Sequence, residues 1–408
     1  MQPNNSDVSF VEKTWKLRRD SETAFTGLRS ACEEDLEYWV GRTRETLAWK
    51  DQLARLGNST LSYNCLEFVV ASYGRGKTLA LLRIKRDALA SPGKCWAFYL
   101  TYVGEEGLKP RDFLTKLLLA ADLDGLAKQH NKNELLAALS RIPDRYQDAH
   151  SAFAAILMTS TARPVSQPDT AQDIFQTRLK RRHDLANEWL SGQNLTRKDA
   201  VEVGVVGKVN RVDSAIKCLL ALRILLKALG YSSMVVCVDE YEYLFGIVGR
   251  KAAAPHLALL RHLFDSGSPD EATGTAMANL GLFLAMTESG WTALNDMGQR
   301  EKGLGGPVSA LLERGHATVL PSLTLDETRE LIAIRLRKDH TDPASDPILP
   351  FTNDFVAFVW EFTEGNPRKV YLACDVVVTV GLRQRVPTLT ADFARRVLDA
   401  GETSSPSD

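Results

Sequence analysis

The sequence predicts a three-layer α/β protein built on a parallel sheet, and three observations carry that expectation. Short apolar, β-branched runs alternate with segments of helical periodicity; a glycine-rich loop sits at the first strand-to-helix junction; and a later apolar run ends in two carboxylates. Leu66 to Val70 reads as the first strand and Thr78 to Leu89 as the helix behind the loop. Further strands are expected at Cys95 to Val103, Met234 to Val238, Gly281 to Met286 and Ala317 to Leu320.

Between the second and third strands, residues 108–229 are mainly helical pattern and far longer than a crossover requires, which reads as a helical insertion. From Thr324 onward the texture is helical only. Thr324 with Glu327 forms a capping-box pattern, Thr352 and Thr390 are placed to cap two later helices, and Asn366-Pro367 supplies a cap and a first-turn proline for a helix to about Val380. The expected organisation is an N-terminal extension over 1–35, an α/β core over 36–321, a small all-helical lid over 322–400 and a flexible tail over 401–408.

The 408 residues carry 50 Lys+Arg against 51 Asp+Glu, a formal net charge of −1, with 44% hydrophobic residues. That balance excludes a strongly basic nucleic-acid-coating protein while leaving room for a local basic patch. The polar start, Met1 to Asp7, does not read as a secretory signal, and the longest apolar stretches are too short or too charged to span a bilayer. A cytoplasmic protein is expected. Six cysteines lie far apart with no C-x-x-C pair, and the histidines lack metal-ligand spacing, so reduced structural thiols are expected rather than a zinc site.

Ala71-Ser72-Tyr73-Gly74-Arg75-Gly76-Lys77-Thr78 matches the phosphate-binding pattern G-x-x-x-x-G-K-[ST] except at its first position, where Ala71 stands for glycine. Glycines allow backbone N–H groups to turn toward phosphate oxygens, Lys77 offers a point charge, and the Thr78 hydroxyl suits magnesium; Leu79 continues the helix. Met234 to Val238 ends in Asp239-Glu240. The first carboxylate is placed to hold the magnesium shell, and the second to polarise the attacking water. ATP and Mg2+ are the cofactors expected.

Four further segments resemble elements of AAA+ ATPases of the origin-recognition and transposition-regulator type. Val40-Gly41-Arg42, about 30 residues before the phosphate loop, resembles the adenine-proximal box, and Leu282 to Met286 with Thr287 at its tip resembles the sensor-1 strand. Leu311-Leu312-Glu313-Arg314 is similar to the arginine-finger segment, and Gly365-Asn366-Pro367-Arg368 to the sensor-2 turn. Each has a plainer alternative: a capping glycine at Gly41, an ordinary strand-end Thr287, a C-terminal helix cation at Arg314 and a surface-loop arginine at Arg368. A planar, permanently charged guanidinium suits phosphoryl transfer, which favours catalytic roles for Arg314 and Arg368 beside Glu240 and Thr287. Arg314 would act on a neighbour's nucleotide in a ring or filament, with Arg261 and Arg300 as alternative fingers.

A closer resemblance lies in Glu188-Trp189-Leu190-Ser191-Gly192, the helical run Ala215 to Leu229, Gly230-Tyr231 and Asp239-Glu240-Tyr241-Glu242. These words resemble the ATP-binding family of BREX phage-defence loci, the BrxD-like proteins. The resemblance implies an Mg-dependent ATPase, assembled as a homo-oligomer, that acts on DNA or with DNA-acting partners in bacterial defence. A STAND-like signalling switch and a transposition-regulator-type ATPase are the alternatives. A small-molecule kinase or GTPase is disfavoured by the helical lid and the lack of an N-K-x-D element. Arg178, Lys180, Arg181 and Arg182 form the densest basic cluster, with Trp189 nearby; it is either a phosphate-contacting strip or, the preferred reading, a solvated helix face.

Overall fold

The computed structural model describes residues 10–17, 31–102, 110–161, 170–209, 212–243, 249–266, 274–301 and 306–402. Two compact units make up the chain. One comprises Met1–Glu45, Ala71–Ala80 and Val319–Asp408; the other comprises Thr46–Val70 and Leu81–Thr318.

The second unit holds a five-stranded parallel sheet. After helix α1 (Thr43–Leu56) come β1 (Cys65–Val70), α2 (Lys77–Leu89) and β2 (Cys95–Thr101). Helices α3 (Pro110–Ala120), α4 (Leu123–Gln129), α5 (Lys132–Leu139), α6 (Gln147–Ser160), α7 (Thr170–Leu190), α8 (Arg197–Val203) and α9 (Val212–Ala228) fill the expected insertion. Then follow β3 (Ser233–Asp239), α10 (Gly249–Asp265), β4 (Asn279–Met286), α11 (Glu288–Glu301), α12 (Pro307–Arg314) and β5 (His316–Val319). The strand order is β2-β3-β4-β1-β5, and the register sets Val70 beside Met286 and Thr101 beside Asp239. Strands β1, β3 and β4 are buried along their whole length, which is why they read as unbroken apolar runs instead of alternating ones. β5 is a short edge strand with mostly exposed side chains.

All five strands occur where the sequence places them, with ends shifted by one or two residues. β2 stops at Thr101, where the Tyr102 N–H donates to the Asp239 carbonyl at 2.8 Å; Val103 lies outside the described residues. The insertion contributes much of the apolar core: Phe113, Leu117, Phe153, Ile156, Leu190 and Leu222 are all buried in one cluster with the sheet.

The first unit is helical: α13 (Leu325–Arg337), α14 (Asn353–Thr363), α15 (Pro367–Gln384) and α16 (Ala391–Glu402). Its starts follow the expected signals. Thr324 and Glu327 form a complete capping box, Thr352 caps α14, Asn366 caps α15, and the Thr390 hydroxyl accepts from the Phe393 N–H at 3.3 Å. α16 continues through Glu402, into the stretch expected as tail, and residues 403–408 lie outside the described set. Part of the expected N-terminal extension belongs to this unit's core. Trp15 and Leu17 are buried among Leu336, Phe355, Val377 and Phe393, and the Trp15 indole donates to the Val386 carbonyl at 3.0 Å.

Candidate functional site

The glycine-rich loop leaves β1 at Ala71 and enters α2 at Lys77. Gly74 and Gly76 have φ of 80° and 88°, a left-handed backbone that side chains resist, so the sequence needs glycine at both. Lys77 is 9% exposed, and its ammonium donates to the Ala71 carbonyl at 3.1 Å, closing the loop on itself. Thr78 and Leu79 are half-buried in the first turn of α2, whereas Tyr73 stands 70% exposed.

Around this loop the first unit gathers Val40-Gly41-Arg42 and the turn from Gly365 to Arg368. Arg42 is 7% exposed, adopts φ of 55°, and lies over the Trp39 ring at 5.0 Å; a Cβ added to Gly76 would lie 3.0 Å from its Nη1. Burial pulls the Arg42 guanidinium down to about 10, against the pull of Glu327 and Glu45. Val40 is buried with Leu323 and Leu331. Gly41 has φ of 64°, and a Cβ there would lie 2.0 Å from a carboxylate oxygen of Glu327, the same residue that completes the α13 capping box. Gly41 is therefore fixed both by backbone and by space. On the lid side, the Arg368 guanidinium lies 4.8 Å from the Tyr73 ring, and the Asn366 side-chain amide donates to the Tyr73 carbonyl at 2.9 Å.

In the second unit, Asp239 closes β3 and is 3% exposed. One of its oxygens accepts from the Tyr99 hydroxyl at 3.0 Å and the other from the Glu240 N–H at 2.9 Å, so the carboxylate is held in one orientation. Burial first, then the charge of Asp239, pushes Tyr99 above the usual phenol range and keeps it a donor. Glu240 is half-buried with φ of 56°, a conformation costing a non-glycine residue about 1–2 kcal/mol. The Tyr241 N–H donating to the Ala285 carbonyl at 2.9 Å helps hold it there. Thr287 follows β4, and its hydroxyl accepts from the Gly290 N–H at 3.2 Å, capping α11.

Arg314, at the end of α12, is exposed and ion-paired to Asp265. Arg261, the alternative finger, pairs with the same carboxylate at 3.3 Å, and Arg300 is exposed on α11. In the basic cluster, Arg178, Lys180 and Arg181 are exposed, and Arg181 pairs with Asp199 at 2.8 Å and Glu202 at 3.3 Å. Trp189 is 2% exposed, with its indole donating to the Gly207 carbonyl; it is part of the core and presents no face for stacking a base. Among the described residues no helix is long and apolar enough to cross a membrane.

Three residues were not singled out for these contacts by the sequence: Tyr99 beside Asp239, Asp265 beside Arg314, and the donor half of Asn366. A tyrosine on the strand next to the acidic strand is the only signal that could have flagged the first.

Residues 120–300 match the family described as BREX system ATP-binding protein BrxC/D. That segment contains Asp239, Glu240 and Thr287 but not the glycine-rich loop. No curated protein matches the chain by sequence. Among solved structures, the chain is similar to the ORC2 protein of Aeropyrum pernix in its ADPNP-ADP complexes, with a TM-score of 0.51 and 15% identity over 94% of this chain and 72% of that one. The ADP form of the same protein gives 0.44 and 14% over 92% and 71%. At such identity the shared property is the fold alone.

Proposed function

We propose that the chain is an ATP-binding and ATP-hydrolysing AAA+ protein that works as an oligomer on DNA or on DNA-bound partners, in a BREX-type defence setting. The observation that carries the nucleotide reading is the loop itself, with two left-handed glycines and a buried lysine folded over its own carbonyl between a buried strand and a helix. Lys77 holds the phosphates as a point charge. Arg42, buried behind Gly76, packs against the loop.

The residues fit a magnesium ion chemically, since Thr78 offers a hydroxyl at a helix start and Asp239 a carboxylate already oriented by two donors. When bound, the ion neutralises charge across the phosphate oxygens. Glu240 orients a water and accepts its proton as the oxygen attacks the terminal phosphorus. Thr287 offers a polar contact near the reacting water, and Arg368 offsets charge spreading onto the terminal phosphoryl group. Arg314 does so from a neighbouring subunit, leaving Asp265 to reach it. The DNA-facing and defence roles rest on the resemblance to the BrxC/D family.

The test is a set of binding and turnover measurements on the whole chain. Lys77→Ala abolishes ATP binding; Glu240→Gln binds ATP but hydrolyses it about 100-fold more slowly or worse, as expected for loss of a general base. Double-stranded DNA raises wild-type hydrolysis. No stimulation by DNA together with no gel shift at low salt would overturn the DNA role, and a strictly monomeric Glu240→Gln protein sedimenting in ATP would overturn the assembly.

A further inference from the structure

Two consecutive carbonyls of the phosphate loop meet the first turn of α15. The Asn366 Nδ2 donates to the Tyr73 carbonyl at 2.9 Å, and the Arg368 N–H donates to the Gly74 carbonyl at 3.3 Å. The other half of the same amide is also used: Asn366 Oδ1 accepts from the N–H groups of Arg368 and Lys369 at 3.1 and 3.3 Å. Turning the amide over would set oxygen against carbonyl and NH2 against two N–H groups, so the network admits one orientation. The approach is backbone-close. A Cβ on Gly74 would lie 2.7 Å from Arg368 Cβ and 2.9 Å from Asn366 Oδ1.

Capping alone does not call for this residue. An acceptor suffices at a helix N-cap, and serine, threonine or aspartate supply one as well as asparagine does. The donor is surplus to that task, and it goes to the loop. A trans peptide points its C=O and N–H to opposite sides, so a Tyr73 carbonyl held toward Asn366 keeps the Gly74 N–H turned away from α15.

We infer that Asn366 is a positioning residue for phosphate binding: its amide fixes the Tyr73–Gly74 peptide and ties that setting to the first turn of the lid helix. This rests on the reading of the loop as a nucleotide site. A loop already set spends less of its interaction with the ligand on ordering. The same amide makes the state of the loop felt at α15, because releasing one bond weakens the orientation that makes the other.

Asn366→Asp and Asn366→Ser keep a capping acceptor and drop the donor. Aspartate adds charge and serine does not, so a loss common to both reports the missing donor. The full chain is titrated calorimetrically with Mg-ATP and with Mg-ADP, and melted with and without nucleotide. Both variants are expected to bind both nucleotides about three- to tenfold more weakly, the scale of one neutral hydrogen bond. Without nucleotide they melt slightly below wild type but above Asn366→Ala, while the nucleotide-induced rise in melting temperature shrinks. In turnover, KM rises and kcat at saturating ATP stays. Wild-type affinity in both variants would overturn the inference and reduce Asn366 to a cap. So would nucleotide-free melting lowered as far as in Asn366→Ala, which loses both functions; Asn366→Thr replaces the serine variant if that one fails to fold. Lys77→Ala runs in parallel. A wild-type chain that binds no nucleotide, or a Lys77→Ala chain that binds it normally, defeats the reading of the loop itself; normal wild-type binding, lost in Lys77→Ala and intact in the Asn366 variants, defeats only the role of Asn366.

Discussion

Asp265 serves two arginines at once, Arg314 through one oxygen and Arg261 at 3.3 Å through the other, and these are two of the three arginines, with Arg300, that the sequence offers as a finger. All three are on the surface or close to it, where such pairs contribute at most about 1 kcal/mol, so the carboxylate parks the arginines without locking them. Asp265→Ala is therefore expected to leave the melting temperature near wild type and to raise hydrolysis at protein concentrations that favour assembly. Arg314→Ala lowers hydrolysis by about 10³-fold, the lower range for loss of an arginine finger, with nucleotide binding intact. Steady-state turnover over a protein dilution series checks both, and full activity in Arg314→Ala would remove its role. Residues whose chemistry is in their own side chain, such as Lys77 and Asp239, were legible because type and spacing encode them. Asn366 was legible as a cap and as part of the segment resembling a sensor-2 turn, but not as a donor to the loop. Its loop partner is a main-chain carbonyl 293 residues away, and a carbonyl leaves no mark in sequence. Glu327 behind Gly41 was hidden for a similar reason, since the sequence assigned it to the capping box alone.

Among elements, the strands were legible from apolarity, and their ends were missed where buried polar residues begin them. Ser233 and Asn279 open β3 and β4 at 0% and 2% exposure, and the Asn279 amide donates to the Leu56 and Leu61 carbonyls at 3.2 and 3.0 Å. Arg223 on α9 reads as a charge interrupting an apolar helix, yet it is 1% exposed. It donates to the Ala278 carbonyl at 2.8 Å and to Ser266, which fixes the approach to β4 from the insertion. Edge strand β5 is attached to β1 partly through a buried carboxylate: Glu67 accepts from the Thr318 hydroxyl at 2.5 Å and from the Gln52 amide at 2.8 Å. Thr318→Val keeps the shape and removes one donor from a group 1% exposed; the expected cost is about 1–3 kcal/mol, read as a lower urea midpoint. An unchanged midpoint would show that Glu67 finds another donor.

For the molecule as a whole, the cysteines report on each unit separately. Cys374 is buried in the lid core, while Cys65, Cys95, Cys218 and Cys237 are buried in the unit that holds the sheet. Burial pushes Cys65 up to about 12 and raises the others as well, so none of these thiols reacts quickly in the folded protein. Pulsed alkylation along a denaturant series, read by mass spectrometry, is expected to label Cys374 at a different midpoint from Cys218 and Cys237. Added ATP shifts the Cys374 midpoint upward, because Lys77 belongs to the same unit; a single shared midpoint would mean that the units melt as one.

The route of the chain has a practical consequence. It passes from one unit to the other at 45–46, 70–71, 80–81 and 318–319, so neither unit is a continuous stretch. No single cut yields either one whole: a fragment ending before 319 carries the glycine loop without the lid helices, and one beginning at 319 carries the helices without the loop or Trp15. Truncation libraries of this protein should therefore give insoluble or dead fragments at nearly every boundary, whereas a protease nick in an exposed loop should leave two pieces that stay together and still bind nucleotide.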